Sequence, residues 1–210
     1  MVPGLLLSNL YATKTSIIAY SIIGIIGCII FSFANPLFSG LLLIISLITP
    51  TIDNLKDEKS SNWVKYVSTL PISRDTYIKS QFVFYFLLSL LGSLLSIVIV
   101  FIITQNIISS INSGVLGLSL SFQYSLIYPL TFKIGENKSN MIQIISSLSV
   151  GILTFLFFYI IIIITPVSSV SVLENLNHQI PFPFVFLFFS VCIIIISYFI
   201  SVKILKYKDF

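Results

Sequence analysis

Residues 53–79 read DNLKDEKSSNWVKYVSTLPISRDTYIK, and they hold half of the chain's charged side chains. Outward from this stretch the sequence turns apolar within a few residues on both sides. PLFSGLLLIISLITPTI (36–52) precedes it and SQFVFYFLLSLLGSLLSIVIVFIIT (80–104) follows it. A helix that crosses the hydrocarbon core of a bilayer takes about 20 mostly apolar residues. The polar stretch therefore joins two membrane spans, and it is the longest such connection in the chain.

The same contrast holds throughout. Of the 210 residues, 57% are apolar and 9% charged, against roughly a quarter charged in a soluble domain. A soluble fold with so few charges on its surface would aggregate, whereas apolar surface facing acyl chains carries no penalty. The reading is an all-α integral membrane protein, one transmembrane domain over 1–210. Six spans are predicted, at 16–34, 36–52, 80–104, 111–132, 141–165 and 181–202. The second is short and is expected to end near Pro50. The fourth is rich in Ser and Gly. No basic leader with a cleavage site precedes the first span, which is expected to stay in the mature protein.

Orientation follows from Lys and Arg in the short loops. Six spans with both ends inside place Lys14 in one cytoplasmic segment and Lys56, Lys59, Lys65, Arg74 and Lys79 in the next. Lys133 and Lys138 fall in the third, and Lys203, Lys206 and Lys208 in the last. These are all eleven basic residues. The outer segments hold only Glu174 and His178 as ionisable groups. The net charge of +4 thus has a topological cause and does not indicate nucleic acid.

No Asp, Glu, Lys, Arg or His lies inside the six predicted spans. Intramembrane charges mark proton relays and ion sites, so their absence argues against a proton-coupled pump, an intramembrane protease or a charged filter. It leaves an apolar pathway, or a protein whose energy enters elsewhere. Cys28 and Cys192 sit in apolar runs and form no disulfide framework or metal spacing. The string Gly135-Glu136-Asn137-Lys138-Ser139 lacks phosphate-loop spacing. Glu174 and His178, four apart, read as a solvated pair, since two ligands without a third hold zinc poorly. No catalytic, cofactor or metal residue is assigned.

Two cytoplasmic pieces carry local structure. Residues 4–15, GLLLSNLYATKT, are apolar but too short to span, and an interfacial helix over 1–15 is expected. In 53–79, Trp63, Tyr66, Val67 and Leu70 fall at i, i+3, i+4 and i+7, one helical face. Pro71 disfavours helix at Leu70. Ser73 is placed to cap a new helix with Asp75 in its first turn, running through Tyr77 into the third span. The outer segment 166–181 is expected to form a short surface helix. Ser113, Gly117, Ser121 and Ser125 form a small-residue stripe; Gly24 with Gly27, and Ser147 with Gly151, offer others. Such stripes let helices approach closely, within one subunit or across a dimer. Phe82, Phe84, Tyr85, Phe155, Phe158 and Tyr159 are candidates for the pathway wall or for lipid contact.

The string Asp57-Glu58-Lys59-Ser60, then Trp63, Lys65-Tyr66 and Thr69-Leu70-Pro71-Ile72-Ser73-Arg74 resembles the loop between spans two and three of small ABC-2-type transporter permeases of Gram-positive bacteria. GLLLSNLY resembles their N-terminal interfacial helix, and the likeness covers essentially the whole chain. Within that family the chain most resembles a membrane subunit of the staphylococcal exporters for phenol-soluble modulins. The resemblance implies a type V exporter-like fold in the bacterial cytoplasmic membrane. It implies a separate ATPase subunit that binds ATP and Mg, with the 53–79 loop as the coupling helix. Trp63, Tyr66, Leu70, Pro71, Ile72, Ser73 and Arg74 are then the coupling residues. It further implies a dimer, of two copies or with a paralogous permease, through the first and fifth spans, where Gly24, Gly27, Ser147 and Gly151 lie. The cargo expected is an amphipathic peptide. The competing reading is a membrane immunity or structural protein without ATP-driven export.

Overall fold

The computed structural model describes residues 2–61, 63, 66–67, 73–134, 139–164 and 181–207. Among them the chain is all helix, with no strand: α1 (Val2–Ala34), α2 (Pro36–Ser60), α3 (Arg74–Thr104), α4 (Ile107–Tyr124), α5 (Ile127–Lys133), α6 (Ser139–Ile164) and α7 (Pro181–Lys206). Five stretches are long and apolar enough to cross a membrane: α1, α2, α3, α4 continued by α5, and α7. The remaining predicted span, the fifth at 141–165, corresponds to α6. It is 26 residues long, but its described apolar stretch, Met141–Phe157, falls short of that length. The outer segment 166–181 lies almost wholly outside the described residues.

The connections follow from local chemistry. Asn35 alone links α1 to α2. Its Oδ1 accepts from Leu37 N at 3.1 Å, and Pro36 occupies the first helical position, where a missing N–H costs nothing. Gln105 closes α3 in the left-handed region (φ 53°), donating its N–H to Phe101 O at 2.9 Å. Asn106 then opens α4 by accepting from Ile108 N and Ser109 N.

Three expected boundaries change. The helix expected over 1–15 is not separate: α1 is continuous for 33 residues. That is about 50 Å, longer than a hydrocarbon core of about 30 Å. No helix breaker stands near Thr15 to divide it. α2 does not stop near Pro50 but continues to Ser60 with the proline inside it. The carbonyl that Pro50 leaves without its helical donor is Ser46 O, while the flanking hydroxyls of Thr49 and Thr51 bond Ile45 O and Ile48 O. Proline is tolerated inside membrane helices that are packed by neighbouring helices, as α2 is. The fourth predicted span is broken into α4 and α5. Pro129 cannot donate to Ser125 O; that carbonyl instead accepts from Tyr128 N at 3.1 Å and from Ser197 Oγ of α7 at 2.7 Å.

α2 is the centre of the bundle, packed on α1, α3 and α4, while α4 also meets α3 and α7. Small residues set these distances. A Cβ on Gly40 would lie 2.7 Å from Ser113 Oγ and 2.8 Å from Ser113 O; one on Gly117 would run into Ile44 and sit 3.2 Å from Gly40 O. Ser113 Oγ also accepts from Gly40 N at 3.0 Å. Ser113 and Gly117 of the stripe therefore pack α4 against α2 within one chain, while Ser121 O accepts from Tyr85 of α3 and Ser125 O from Ser197 of α7. α6 is packed least, mainly on α5 and α4. Much of its surface is apolar and exposed, including Ile144, Leu148, Ile152 and Tyr159.

Candidate functional site

Two features are built on this scaffold: a polar cluster where the charged ends of α2, α3 and α7 meet, and a cleft beside α6. The continuation of α2 past Pro50 creates the first. It places Asn54 and Glu58, four residues apart, on one helical face. α3 presents Tyr77 and Gln81, also four apart. The two pairs meet: Glu58 Oε1 accepts from Asn54 Nδ2 at 2.8 Å, and Oε2 accepts from Tyr77 Oη at 2.5 Å and Gln81 Nε2 at 2.8 Å. All four side chains are buried, Glu58 to 9% exposure. A buried carboxylate is tolerated only when its oxygens are hydrogen-bonded, and here three neutral donors do so. An apolar cluster surrounds them, with Ile52, Leu55, Val67, Tyr128, Phe132 and Leu205.

Next to it, α3 begins as the sequence indicates. Ser73 Oγ accepts from Thr76 N at 3.2 Å, and Asp75 lies in the first turn. Arg74 Nη1 donates to Leu205 O at 2.9 Å. That carbonyl belongs to the last turn of α7, where helix C-termini leave acceptors unsatisfied and favour cations. Lys206 approaches Asp75 at 3.9 Å. Both are half exposed, so this pair contributes under about 1 kcal/mol. Arg74 thus meets a carbonyl of its own chain.

The other expected coupling residues divide. Trp63 is partly buried and packs against the apolar cluster, and Val67 is inside it. Tyr66, its ring centroid 5.3 Å from that of Trp63, is 54% exposed. Leu70, Pro71 and Ile72 lie outside the described residues. Gly24 faces α2, where a Cβ would collide with Ser46 Oγ and lie 3.2 Å from Leu43 Cα; Gly27 faces Leu42 more loosely. Ser147 and Gly151 are on α6, on the cleft. The four residues do not form one face in this chain. Phe82, Phe84 and Tyr85 are buried among side chains of the bundle and are no part of an exposed wall. Phe155 does line the cleft, Tyr159 is exposed, and the side chain of Phe158 is outside the described set.

The cleft has a volume of about 650 Å³ and lies between α2, α4 and α6. Ile45, Ile48, Ile52, Leu120, Val150 and Phe155 make it mainly apolar, while Thr49, Tyr124, Gln143, Ser147 and Thr154 add a polar strip. Its size and lining suit an amphiphile. Three polar contacts tie α6 across or beside it: Tyr124 Oη with Ser147 Oγ at 3.2 Å, Thr154 Oγ1 to Gln123 Oε1 at 3.4 Å, and Lys56 Nζ to Gln143 Oε1 at 2.9 Å. Gly151 has open space where a Cβ would be. Among the described residues no three His, Cys, Asp or Glu side chains come together to hold a metal.

Sequence reasoning missed the Glu58 network and the cleft. The network had a signal: Asn54 and Glu58, and Tyr77 and Gln81, each four apart on helices joined by one connection. It was hidden because the second span was ended at Pro50. The cleft had none, since it depends on how far α6 stands from α2.

The family profile of the ABC-2 family transporter proteins matches residues 4–206. None of the curated proteins and none of the solved structures matches the chain. The match runs through every described helix and includes both the polar cluster and the cleft. The chain belongs to the ABC-2 transporter family, as a multi-pass plasma-membrane permease and so a component of membrane transport, not itself catalytic.

Proposed function

We propose that this permease is the membrane subunit of an ATP-driven exporter, with six spans, both ends inside the cell, and a separate ATPase docked on the 61–73 segment. The observation that carries this reading is that segment's mounting. Its two ends are held by the Glu58 network and by the Ser73 cap with Arg74, while Tyr66 stands exposed between them. An exposed aromatic on a firmly held base is the form that interface anchors take. The partition of all eleven basic residues into the predicted inner segments supports placing it in the cytoplasm. ATP and Mg would bind on the partner, since this chain has no phosphate-binding loop.

The cargo we propose is an amphipathic peptide, entering the cleft between α2, α4 and α6 from the membrane. The apolar wall would take its apolar face and the strip from Thr49 to Thr154 its polar one. A complete exporter uses two membrane halves, so we propose a dimer, of two copies or with a paralogous permease. The narrower likeness to phenol-soluble modulin exporters supports the same cargo class. The test is purification in detergent from cells that also express the ATPase encoded with the permease. The ATPase should stay bound, and its rate should rise on adding a synthetic amphipathic helical peptide. Failure to retain any nucleotide-binding subunit would favour an immunity or structural role and overturn the proposal.

A further inference from the structure

We infer that Glu58 is a positioning residue, a latch that makes the end of α2 and the start of α3 move as one body under the 61–73 segment. The inference rests on the exporter reading for its purpose, but the latch itself is a property of this chain.

Three observations lead to it. Glu58 lies in the last turn of α2, which ends at Ser60. Tyr77 and Gln81 lie in the first turns of α3, which begins at Arg74. The hydrogen bonds between them therefore close the base of the segment between the two helices. Second, one carboxylate gathers the polar contacts at this joint, beside the apolar packing of Ile52 and Leu55 with Tyr77 and Ile78. Tyr77 Oη and Gln81 Nε2 both donate to the same oxygen, Oε2, and Asn54 holds the other from within α2. Gln81 Oε1 is buried and has no partner among the described residues, so no second bond from Gln81 duplicates the link. Third, the latch is continuous with the cleft. Ile52, on the cleft wall, precedes Glu58 by six residues of unbroken α2, about 9 Å along the axis.

The chemistry makes the carboxylate hard to replace. A carboxylate offers acceptors at both oxygens, whereas an amide offers one acceptor and two donors. In Glu58→Gln, the amide nitrogen takes the place of one oxygen: turned toward Asn54 it sets two donors face to face, and turned toward α3 it faces both Tyr77 and Gln81. Either way at least one donor loses its acceptor, and the joint between α2 and α3 loosens. Placing the carboxylate on α3 instead restores the balance. In Glu58→Gln with Gln81→Glu, the amide of residue 58 donates to the carboxylate of residue 81, with Tyr77 one turn away.

The first readout needs no partner. Limited trypsin digestion of the purified permease reports how accessible the basic residues between the ends of α2 and α3 are to the protease. Cleavage there should rise at least fivefold in Glu58→Gln and return to within twofold of the native rate in the double exchange. Tyr77→Phe, which removes one donor only, should give an intermediate rate and covers the case that Glu58→Gln does not fold. The second readout is peptide-stimulated ATPase rate in the complex. Stimulation should fall at least fivefold in Glu58→Gln while the ATPase stays bound, and the double exchange should recover it. Unchanged trypsin cleavage in both Glu58→Gln and Tyr77→Phe would overturn the latch. So would raised cleavage that the double exchange does not reverse, or stimulation unchanged in Glu58→Gln. If the native permease retains no ATPase, the exporter reading fails instead, and the latch stands or falls on the trypsin result.

Discussion

Replacing Gly40 with Ala tests whether α2 and α4 form a rigid wall. The added Cβ would sit 2.7 Å from Ser113 Oγ, 2.8 Å from Ser113 O and 3.0 Å from Ser96 Oγ. The Ser113 hydroxyl can turn away, but its carbonyl is part of α4, so the two helices must separate by several tenths of an ångström. Overpacking of this kind costs about 1–3 kcal/mol. Separation also stretches the bond from Gly40 N to Ser113 Oγ, 3.0 Å long, worth about 1 kcal/mol. Against this, Ala is about 1 kcal/mol better than Gly inside a helix. The net is a loss of about 1–3 kcal/mol. At about 2–4 °C per kcal/mol for a chain of this size, the melting temperature should fall by roughly 2–12 °C. Gly151→Ala is the matched control. Nothing lies within 4 Å of its Cβ position, so only the helix preference acts, and melting should rise by up to about 4 °C. The assay is the fraction that remains monodisperse on size exclusion in detergent after heating. If Gly40→Ala melts as high as Gly151→Ala, the α2–α4 contact is not the tight wall described here.

Three further outcomes are expected. Tyr66→Ala should weaken ATPase retention about 30-fold or more, as for an interface anchor worth about 2 kcal/mol, and should lower melting less than Trp63→Ala, because Tyr66 pairs with the Trp63 ring whereas Trp63 also packs on the apolar cluster. Ser197→Ala removes the hydroxyl from Ser125 O and should cost about 1 kcal/mol, with hydrogen exchange rising across α5 more than across α4. Gly151→Trp should enter the cleft and reduce peptide-stimulated ATPase rate at least tenfold without lowering melting, and an unchanged rate would remove the cleft from the cargo path.

Hydropathy was a good guide to where helices lie and a poor one to where they end. It placed the end of α1 at Ala34, the start of α2 at Pro36, the end of α3 at Thr104 and the start of α7 at Pro181, because Pro, Asn and Ser caps stand at or near those points. It failed at Pro50 and Pro129. A proline removes one donor, and whether the helix continues or breaks there depends on the packing around it, which the local sequence does not contain. At Pro50, α2 carries on between flanking threonines. At Pro129, Tyr128 N and Ser197 Oγ take the exposed carbonyl of Ser125, and the helix breaks. Ser197 is far from Ser125 in sequence, so no local pattern could reveal the pairing. The helical face through Trp63 and Val67 was legible, and both residues lie against the apolar cluster, but that Tyr66 is left largely exposed was not, because periodicity does not say what a face packs against.

The polar groups of this chain are distributed unevenly in a way that bears on mechanism. Between α2 and α4 the serines and glycines bring backbones together, and their hydroxyls bond neighbouring carbonyls, so that side is dry and close-packed. Beside α6 the polar groups instead reach across open space, as Tyr124 does to Ser147 and Lys56 to Gln143. Breaking a few such contacts costs little compared with separating an interdigitated wall. Movement is therefore easier between α6 and the rest of the bundle than within α1 to α4. On the proposed exporter reading, a force applied at the 61–73 segment would enter through α2 and α3, and α2 forms one wall of the cleft. The stiff part of the molecule would then receive the force while the loose part faces the cleft, an arrangement in which a push at one end widens the space at the other.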